Sequence, residues 1–266
     1  MSRETITSRD NSLLRQARAV RDGKVEGLIF IEGLRLAEEA LRSKIEIVAV
    51  IVSQEMAQKE KARVLIDELG QTSDRLASVS EKLLESISYT KTPQGIVLLA
   101  SRPETSKEHF ATNSREPSLI VIMHRINNPV NVGAILRTAE AAGATGVIAS
   151  QNTSDPLSPK SLRGAMGSAF RLPVWFGPTY DDALAWCRER RIQTICADVH
   201  ASTGYDQVDW RRPCALILGP ESSGLSRDEI SAANEAVRIP MRGPAESLNV
   251  AVATGVLLYE AARQRS

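Results

Sequence analysis

The chain has 266 residues, 42% of them hydrophobic and only 4% aromatic, with 33 Lys and Arg against 32 Asp and Glu. That length supports one large or two ordinary domains, and two is the expectation. The shortage of aromatic residues argues against a mostly-β sandwich and for an α/β protein whose core is Leu, Ile, Val and Ala. A formal net charge of +1 leaves nucleic-acid binding to a local basic patch, if there is one.

Three cysteines, Cys187, Cys196 and Cys214, show no CxxC spacing and suggest neither a disulfide framework nor a zinc site. His109, His124 and His200 have no metal spacing either, so no metal is expected. The opening "MSRETITSRDNSLLRQARAVRDGK" is charged where a signal peptide needs an apolar run. No segment reaches about 18 uncharged apolar residues. A soluble, cytoplasmic protein without a membrane partner is the expectation.

In chain order, "SLLRQARAVRDG" predicts a helix with Leu13, Leu14, Ala17 and Val20 on one face and Gly23 as its stop. "GLIFIEG" reads as a strand, "LRLAEEALRS" as a helix, "IEIVAVIVS" as a buried strand, "AQKEKARVLIDELG" as one charged helix and "PQGIVLLA" as a closing strand. Residues 1–102 are thus a small α/β domain. Residues 103–117, polar and without apolar period, are expected to be a linker. Residues 118–266 carry short apolar strands ("SLIVIMH", "TGVIAS", "RLPVWF", "IQTICAD", "CALILG", "AVRIPM") separated by helices or long loops, which predicts a parallel sheet covered on both faces.

Working groups in such sheets sit beyond the carboxyl ends of the strands, and four stretches there could carry chemistry. In "NNPVNVGAILRTAEAAG", Asn128 or Asn131 can cap a helix, and Arg137 either pairs with Glu140 at i, i+3 or grips an anion. In "CALILGPESSGLSRDEI", Gly219 permits close backbone approach, Glu221 lies in a Gly-bounded loop, and Ser226 to Glu229 form a capping box. In "VRIPMRGPAESLNVAVATGVLLYEAARQR", Ser247 reads as a cap, with Leu248, Ala251, Val252, Gly255 and Leu258 at helical spacing, and Asn249 as an amide in need of a partner. In "SPKSLRGAMGSAFRLPVW", Lys160, Arg163 and Arg171 surround small residues, as a phosphate backbone would favour, although a solvated helix face explains them equally well. There is no G-x-G-x-x-G, which counts against an ordinary dinucleotide enzyme.

Taken in order, these stretches resemble the three motifs of the SpoU-type RNA ribose 2'-O-methyltransferases of the SPOUT class. "NPVNVGAILRTAEAAGA" is similar to the first, "LILGPESSGLS" to the second and "IPMRGPAESLNVAVATGVLLYEAARQR" to the third. Residues 1–102 more loosely resemble the small ribosomal-protein-like RNA substrate-binding domain found ahead of many such enzymes. The resemblance implies an α/β fold with a C-terminal trefoil knot, a homodimer with an active site shared across the interface, and methyl transfer from S-adenosylmethionine, leaving S-adenosylhomocysteine.

By the same resemblance Arg137, Asn131, Glu221 and Asn249 are the candidate catalytic residues, with Ser247 at a further polar position. Ala197, Leu218, Gly219, Ile239, Met241, Ser247 and Leu248 are the candidate cofactor contacts. Lys160, Arg163, Arg15 and Arg18 are assigned to RNA. Ribosomal RNA is favoured over transfer RNA, and DNA is not expected. His124 and Asn128 stand where many relatives carry Asp. Base methylation, transfer-RNA 2'-O-methylation or a non-catalytic RNA-binding or assembly factor are the alternatives.

Overall fold

The computed structural model describes residues 4–110 and 118–266. They divide into two compact units. The first comprises residues up to Glu104 together with Leu157–Phe170, and the second comprises Thr105–Pro156 and Arg171–Ser266.

In the first unit, β1 (Glu4–Ile6), α1 (Ser12–Arg21), β2 (Leu28–Glu32), α2 (Leu34–Arg42), β3 (Ile47–Ser53), α3 (Gln54–Gln58), α4 (Glu60–Thr72), β4 (Ser73–Val79), α5 (Glu81–Ile87) and β5 (Ile96–Ser101) follow one another. The strands form one sheet in the order β1-β4-β3-β5-β2. β5 is antiparallel to both of its neighbours, and the other pairings are parallel. Because side chains alternate across a strand, Ala49 and Ile51 of β3 and Val97 and Leu99 of β5 face one way. There they meet Leu13, Leu14, Ala17 and Val20 of α1 and Leu84 and Ile87 of α5. α2 and α4 pack against the sheet as well. The apolar face expected for α1 is the one buried, and Asn11 caps its start.

Two local expectations fail. The charged helix is broken at Lys59, which has extended backbone, so that a short α3 capped by Ser53 precedes α4. The strands β1 and β4 were not expected, since "ETI" and "SDRLASV" lack a clean apolar alternation. β4 is nevertheless held between the edge strand β1 and the central strand β3.

The second unit contains β6 (Leu119–Met123), α6 (Pro129–Ala141), β7 (Gly146–Ala149), β8 (Val174–Phe176), α9 (Tyr180–Glu189), β9 (Gln193–Ala197), β10 (Thr203–Gly204), β11 (Cys214–Leu218), α10 (Arg227–Ala232), β12 (Glu235–Arg238) and α11 (Val250–Arg265). The two short helices between β7 and β8, α7 (Pro159–Ala165) and α8 (Ser168–Arg171), lie in the segment whose residues 157–170 are counted with the first unit. α7 packs on β2, which no local sequence signal announces.

All strand pairings of the second unit are parallel, in the order β10-β12-β9-β11-β6-β7-β8. β6 and β11 are buried at every position, as strands covered on both faces must be. Ile120, Ile122, Ala215, Ile217 and Cys196 meet Ala183, Leu184, Trp186 and Cys187 of α9 on one face. α6 buries Val132, Ile135, Leu136 and Ala139 and packs against α11.

The stretch expected to be a linker is in part structured. Phe110 is buried edge-on against Trp186, at 5.2 Å between ring centroids. A Cβ on Gly146 would collide with the Phe110 ring. The amide of Phe176 donates to the Thr105 carbonyl at 3.3 Å. Residues 105–110 therefore belong to the second unit, while 111–117 lie outside the described residues.

All three cysteines are buried and free. Burial pushes the Cys196 thiol up to about 11 and Cys187 up to about 12, so neither is a ready nucleophile.

Candidate active site

The register of the sheet brings the second and third motif stretches to one edge. Leu218 stands opposite Met123 in β6, Ile217 opposite Cys196 in β9, and Val237 opposite Ala197. The carboxyl ends of β6, β11, β9 and β12 are therefore neighbours. Ala197, Leu218, Gly219 and Ile239, four of the expected cofactor contacts, lie at or just past those ends. This is where ligands settle in open parallel sheets.

Gly219 has a structural reason of its own. The loop after β11 folds back through a bond from the Gly224 amide to the Pro220 carbonyl at 2.8 Å. A Cβ on Gly219 would lie 2.8 Å from Leu225 Cγ and 2.9 Å from the Leu225 nitrogen. The close approach that needs glycine is to this loop. Glu221 is exposed on it.

Past β12, residues 241–247 form no hydrogen bond within the chain among the described residues. Met241 is half-buried, and Ser247 and Leu248 are exposed. Backbone N–H and C=O groups are obligatory hydrogen-bonding groups, so this segment offers a run of free donors and acceptors beside the strand ends. A polar ligand held by main-chain groups fits such a segment, and S-adenosylmethionine, with its adenine edge, ribose hydroxyls and amino-acid tail, is of that kind.

Ser247 does not cap α11. Asn249 does, its side-chain oxygen accepting from the Ala251 amide at 2.9 Å and the Val252 amide at 3.4 Å. The helix then buries Thr254, Leu257, Leu258 and Ala261. Leu248 and Val252, expected on its buried face, are 37% and 54% exposed. The amide end of the same Asn249 donates to Asn131 Oδ1 at 3.3 Å. Asn131 is buried in the first turn of α6, while Asn128 is that helix's cap. One asparagine pair thus fastens the third stretch to the first.

Arg137 is exposed, and among the described residues it makes no hydrogen bond or ion pair. The pairing with Glu140 allowed by sequence spacing is not formed. Glu140 instead takes both guanidinium arms of Arg171, one of them at 2.8 Å. Arg137 shares the solvent face of α6 with Val130, seven residues earlier, and not the face of Asn131. The structure brings Asn131 and Asn249 together and forms no hydrogen bond or ion pair from Arg137 or Glu221 to either of them.

Of the basic residues expected to meet RNA, Arg15, Lys160 and Arg163 are exposed. Arg18 is half-buried and donates to the Arg9 carbonyl at 2.8 Å.

A cluster around the buried His124, beside these strand ends, is not announced by any local pattern. His124, 6% exposed, follows β6 directly. Its Nδ1 lies 2.9 Å from Ser150 Oγ and its Nε2 lies 3.0 Å from Glu229 Oε1. Glu229 also accepts from Arg125 at 2.7 Å and from the Ser226 amide at 2.7 Å, completing the expected capping box of α10. Tyr180 packs its ring on His124 and donates to the Glu229 carbonyl at 2.9 Å. Neutral imidazole satisfies both ring contacts, donating from Nε2 and accepting at Nδ1. Where an Asp was the alternative at position 124, it would face Glu229 as a like charge. The departure is matched by its surroundings.

Burial pulls the His124 pKa below its ordinary 6.5, outweighing the upward pull of Glu229. For Glu229, burial works upward, but the hydrogen bonds from Ser226 and His124 hold its carboxyl below 4.5. Both shifts have the same consequence. For His124 the unfolded chain binds the proton more readily, so its contribution is complete above pH 6.5 and declines as the pH falls toward the depressed folded value. Glu229 adds a further loss once the pH drops below 4.5. Urea unfolding of His124→Gln and wild type between about pH 5 and pH 7 checks this: the gain in stability with rising pH is smaller in the variant. An equal gain in both proteins would count against the assignment.

Comparison with known proteins gives a consistent result. Residues 118–259 match the SpoU rRNA Methylase family, and residues 13–98 match the MRM3-like substrate binding domain. A protein of Synechocystis named as an uncharacterized tRNA/rRNA methyltransferase is 32% identical over 98% of this chain and 94% of its own length. A 23S rRNA uridine 2'-O-methyltransferase of Streptomyces viridochromogenes is 33% identical over 73% of this chain and 68% of its own. The crystal structure of an AdoMet-bound rRNA methyltransferase from Sinorhizobium meliloti superposes with a TM-score of 0.85 at 29% identity, covering 98% of this chain and 97% of that one.

Proposed function

Because the chain belongs to the SpoU rRNA Methylase family, we propose that it transfers a methyl group from S-adenosylmethionine to a ribose 2'-hydroxyl of ribosomal RNA, releasing S-adenosylhomocysteine. The observation that carries this reading is the Asn131–Asn249 contact, which joins the first and third motif stretches beside the open backbone of residues 241–247. The match of residues 13–98 to a substrate binding domain supports recognition of structured RNA by the first unit. The relatives that act on 23S rRNA favour ribosomal over transfer RNA.

When bound, S-adenosylmethionine supplies a methyl group activated by the sulfonium charge. What is left to this chain is to hold the ligand, align the hydroxyl and stabilise negative charge on its oxygen. Ala197, Leu218, Gly219, Ile239, Met241, Ser247 and Leu248 would hold the cofactor. Asn131 and Asn249 fix the loops against one another. Arg137 grips the target phosphate and stabilises the developing alkoxide. A guanidinium is not deprotonated in proteins, so that phosphate assists removal of the hydroxyl proton. Glu221 completes the polar set, and Lys160, Arg163, Arg15 and Arg18 contact RNA phosphates.

The assembly that fits these positions is a homodimer. Val252 is 54% and Tyr259 57% exposed on α11, and Val130 is exposed on α6 beside Arg137. A second copy covering these side chains would bring its own groups to an arginine that makes no hydrogen bond or ion pair among the described residues. The path from β12, held between β9 and β10, to α11, packed on α6, supports a trefoil-knotted C-terminal segment. A cytoplasmic site of action belongs to the same proposal; no helix among the described residues is long and apolar enough to cross a membrane.

Mapping alkali-resistant linkages in total RNA with and without the gene tests the activity. One resistant linkage in ribosomal RNA disappears with the gene. If the lost methyl instead sits on a base, the ribose assignment is wrong.

Position 249 separates capping from the amide contact. Asn249→Ala loses about 1 kcal/mol of helix capping together with activity. Asn249→Asp keeps an acceptor for the Ala251 and Val252 amides but loses the donor to Asn131. It should unfold at the wild-type urea concentration while methylating at least about tenfold more slowly, the equivalent of about 1.4 kcal/mol. Equal rates for Asp and Asn would remove the amide contact from the mechanism.

A further inference from the structure

The first unit contains a cavity of about 180 Å³, lined by residues including Glu32, Arg35, Tyr89, Gln94 and Arg163 and by none of the strand-end residues described above. All its lining residues belong to that unit. It is smaller than the clefts of about 300 Å³ or more that take drug-sized ligands, and it has room for one flat ring system.

The charges of its wall are unequal in kind. Glu32 is spent internally: its carboxylate accepts from the Tyr89 amide at 2.7 Å, the Thr90 amide at 3.2 Å and the Thr90 hydroxyl. Those bonds fix the turn after α5 and hold Tyr89 at the rim, where it is 45% exposed. Arg35 and Arg163 are exposed, and among the described residues neither has an ion pair or hydrogen bond. The wall therefore combines two free guanidinium groups, an exposed aromatic ring on a stiffened turn, and the amide of Gln94. Gln94 is seated over Gly33, where a Cβ would lie 2.6 Å from its Oε1.

We propose that this cavity takes one unpaired nucleotide of the RNA substrate, its base stacked on Tyr89 and its phosphates held by Arg35 and Arg163. Stacking on an aromatic side chain with cationic support of the backbone is how splayed single-stranded nucleotides are held. Arg163 reaches the site from α7, in the segment 157–170 that is distant in sequence from the other lining residues but belongs to the same unit. The inference rests on the reading of the protein as an RNA methyltransferase but adds a recognition site separate from the transferred methyl.

The test measures binding of a 23S ribosomal RNA transcript by full-length protein in a filter assay, with methyl incorporation followed in parallel. Tyr89→Ala weakens binding roughly 5- to 100-fold, whereas Tyr89→Phe, which keeps the ring, binds as wild type. Arg35→Ala with Arg163→Ala lowers the slope of log affinity against log salt by about 1.4, as loss of two single-strand phosphate contacts requires. Thermal unfolding and calorimetric binding of S-adenosylmethionine stay unchanged in all three variants. Unaltered RNA affinity in Tyr89→Ala and in the double variant overturns the pocket. Pocket-dependent binding without methyl incorporation overturns the methyltransferase reading and leaves the pocket standing. A wild-type protein that binds no RNA overturns both.

Discussion

Arg137→Ala is expected to lower methyl transfer by about 10²- to 10³-fold, the usual cost of removing one preorganised group that meets developing charge. It should leave the fold intact. The side chain is exposed and makes no hydrogen bond or ion pair among the described residues, so its removal orphans no polar partner. Substitutions of that kind fall within about 0.5 kcal/mol. Arg137→Lys keeps the charge but loses the two-pronged grip on a phosphate, and it recovers only part of the rate. Single-turnover methylation of 23S ribosomal RNA with saturating cofactor, beside a urea unfolding curve, separates the two effects. A variant that methylates as fast as wild type removes Arg137 from the active site.

Trp210→Ala carries the largest expected loss of stability, about 3 to 5 kcal/mol from the second unit. Trp210 is wholly buried, and its indole nitrogen donates to the Tyr205 carbonyl at 2.8 Å. Its backbone also ties down the end of α11, with the amide donating to Gln264 at 3.0 Å and the carbonyl accepting from Arg265 at 2.7 Å. Arg265 further donates to the Arg212 carbonyl at 2.8 Å and the Ser118 carbonyl at 3.2 Å. α11 also begins with Asn249, so loosening its far end disturbs the candidate site at its near end. Chemical unfolding followed by tryptophan fluorescence of the remaining Trp175 and Trp186 should show an early transition. A shift below about 1 kcal/mol would mean the side chain is not the anchor that its burial indicates.

Much of this arrangement is legible in the sequence because parallel strands buried on both faces leave continuous apolar runs. "CALIL" is the central strand and "LIVIM" its interior neighbour, and both are apolar throughout. The capping box from Ser226 to Glu229 is equally local and forms as expected. Less local features escaped. α11 is apolar on nearly every side between Val250 and Leu258, so periodicity does not say which stripe is buried, and "SLN" offers two residues able to cap it. Phe110 is a lone aromatic in a polar stretch, and only the space left by Gly146 makes it an anchor.

His124 and Glu229 are joined across 105 residues of chain, too far apart for spacing to report. The four candidate catalytic positions follow from the resemblance of their motifs and not from any local physical signal. Within one chain only Asn131 and Asn249 meet.

The order of strands in the second sheet has a consequence for how the molecule is made. β6 and β11 lie side by side, yet residue 119 pairs with residue 214, and β12 inserts between β9 and β10, which both precede it. β6 and β7 can pair across a short connection, but the ladder between β6 and β11 cannot close until the chain has passed residue 214. The first unit has all five of its strands before residue 102, so its sheet can pair early. Pairings this distant carry a large loop-closure cost and slow the search. Nascent chains halted before Cys214 should therefore resist protease in the first unit while remaining sensitive from β6 onward, with resistance there gained only once β12 and α11 have emerged.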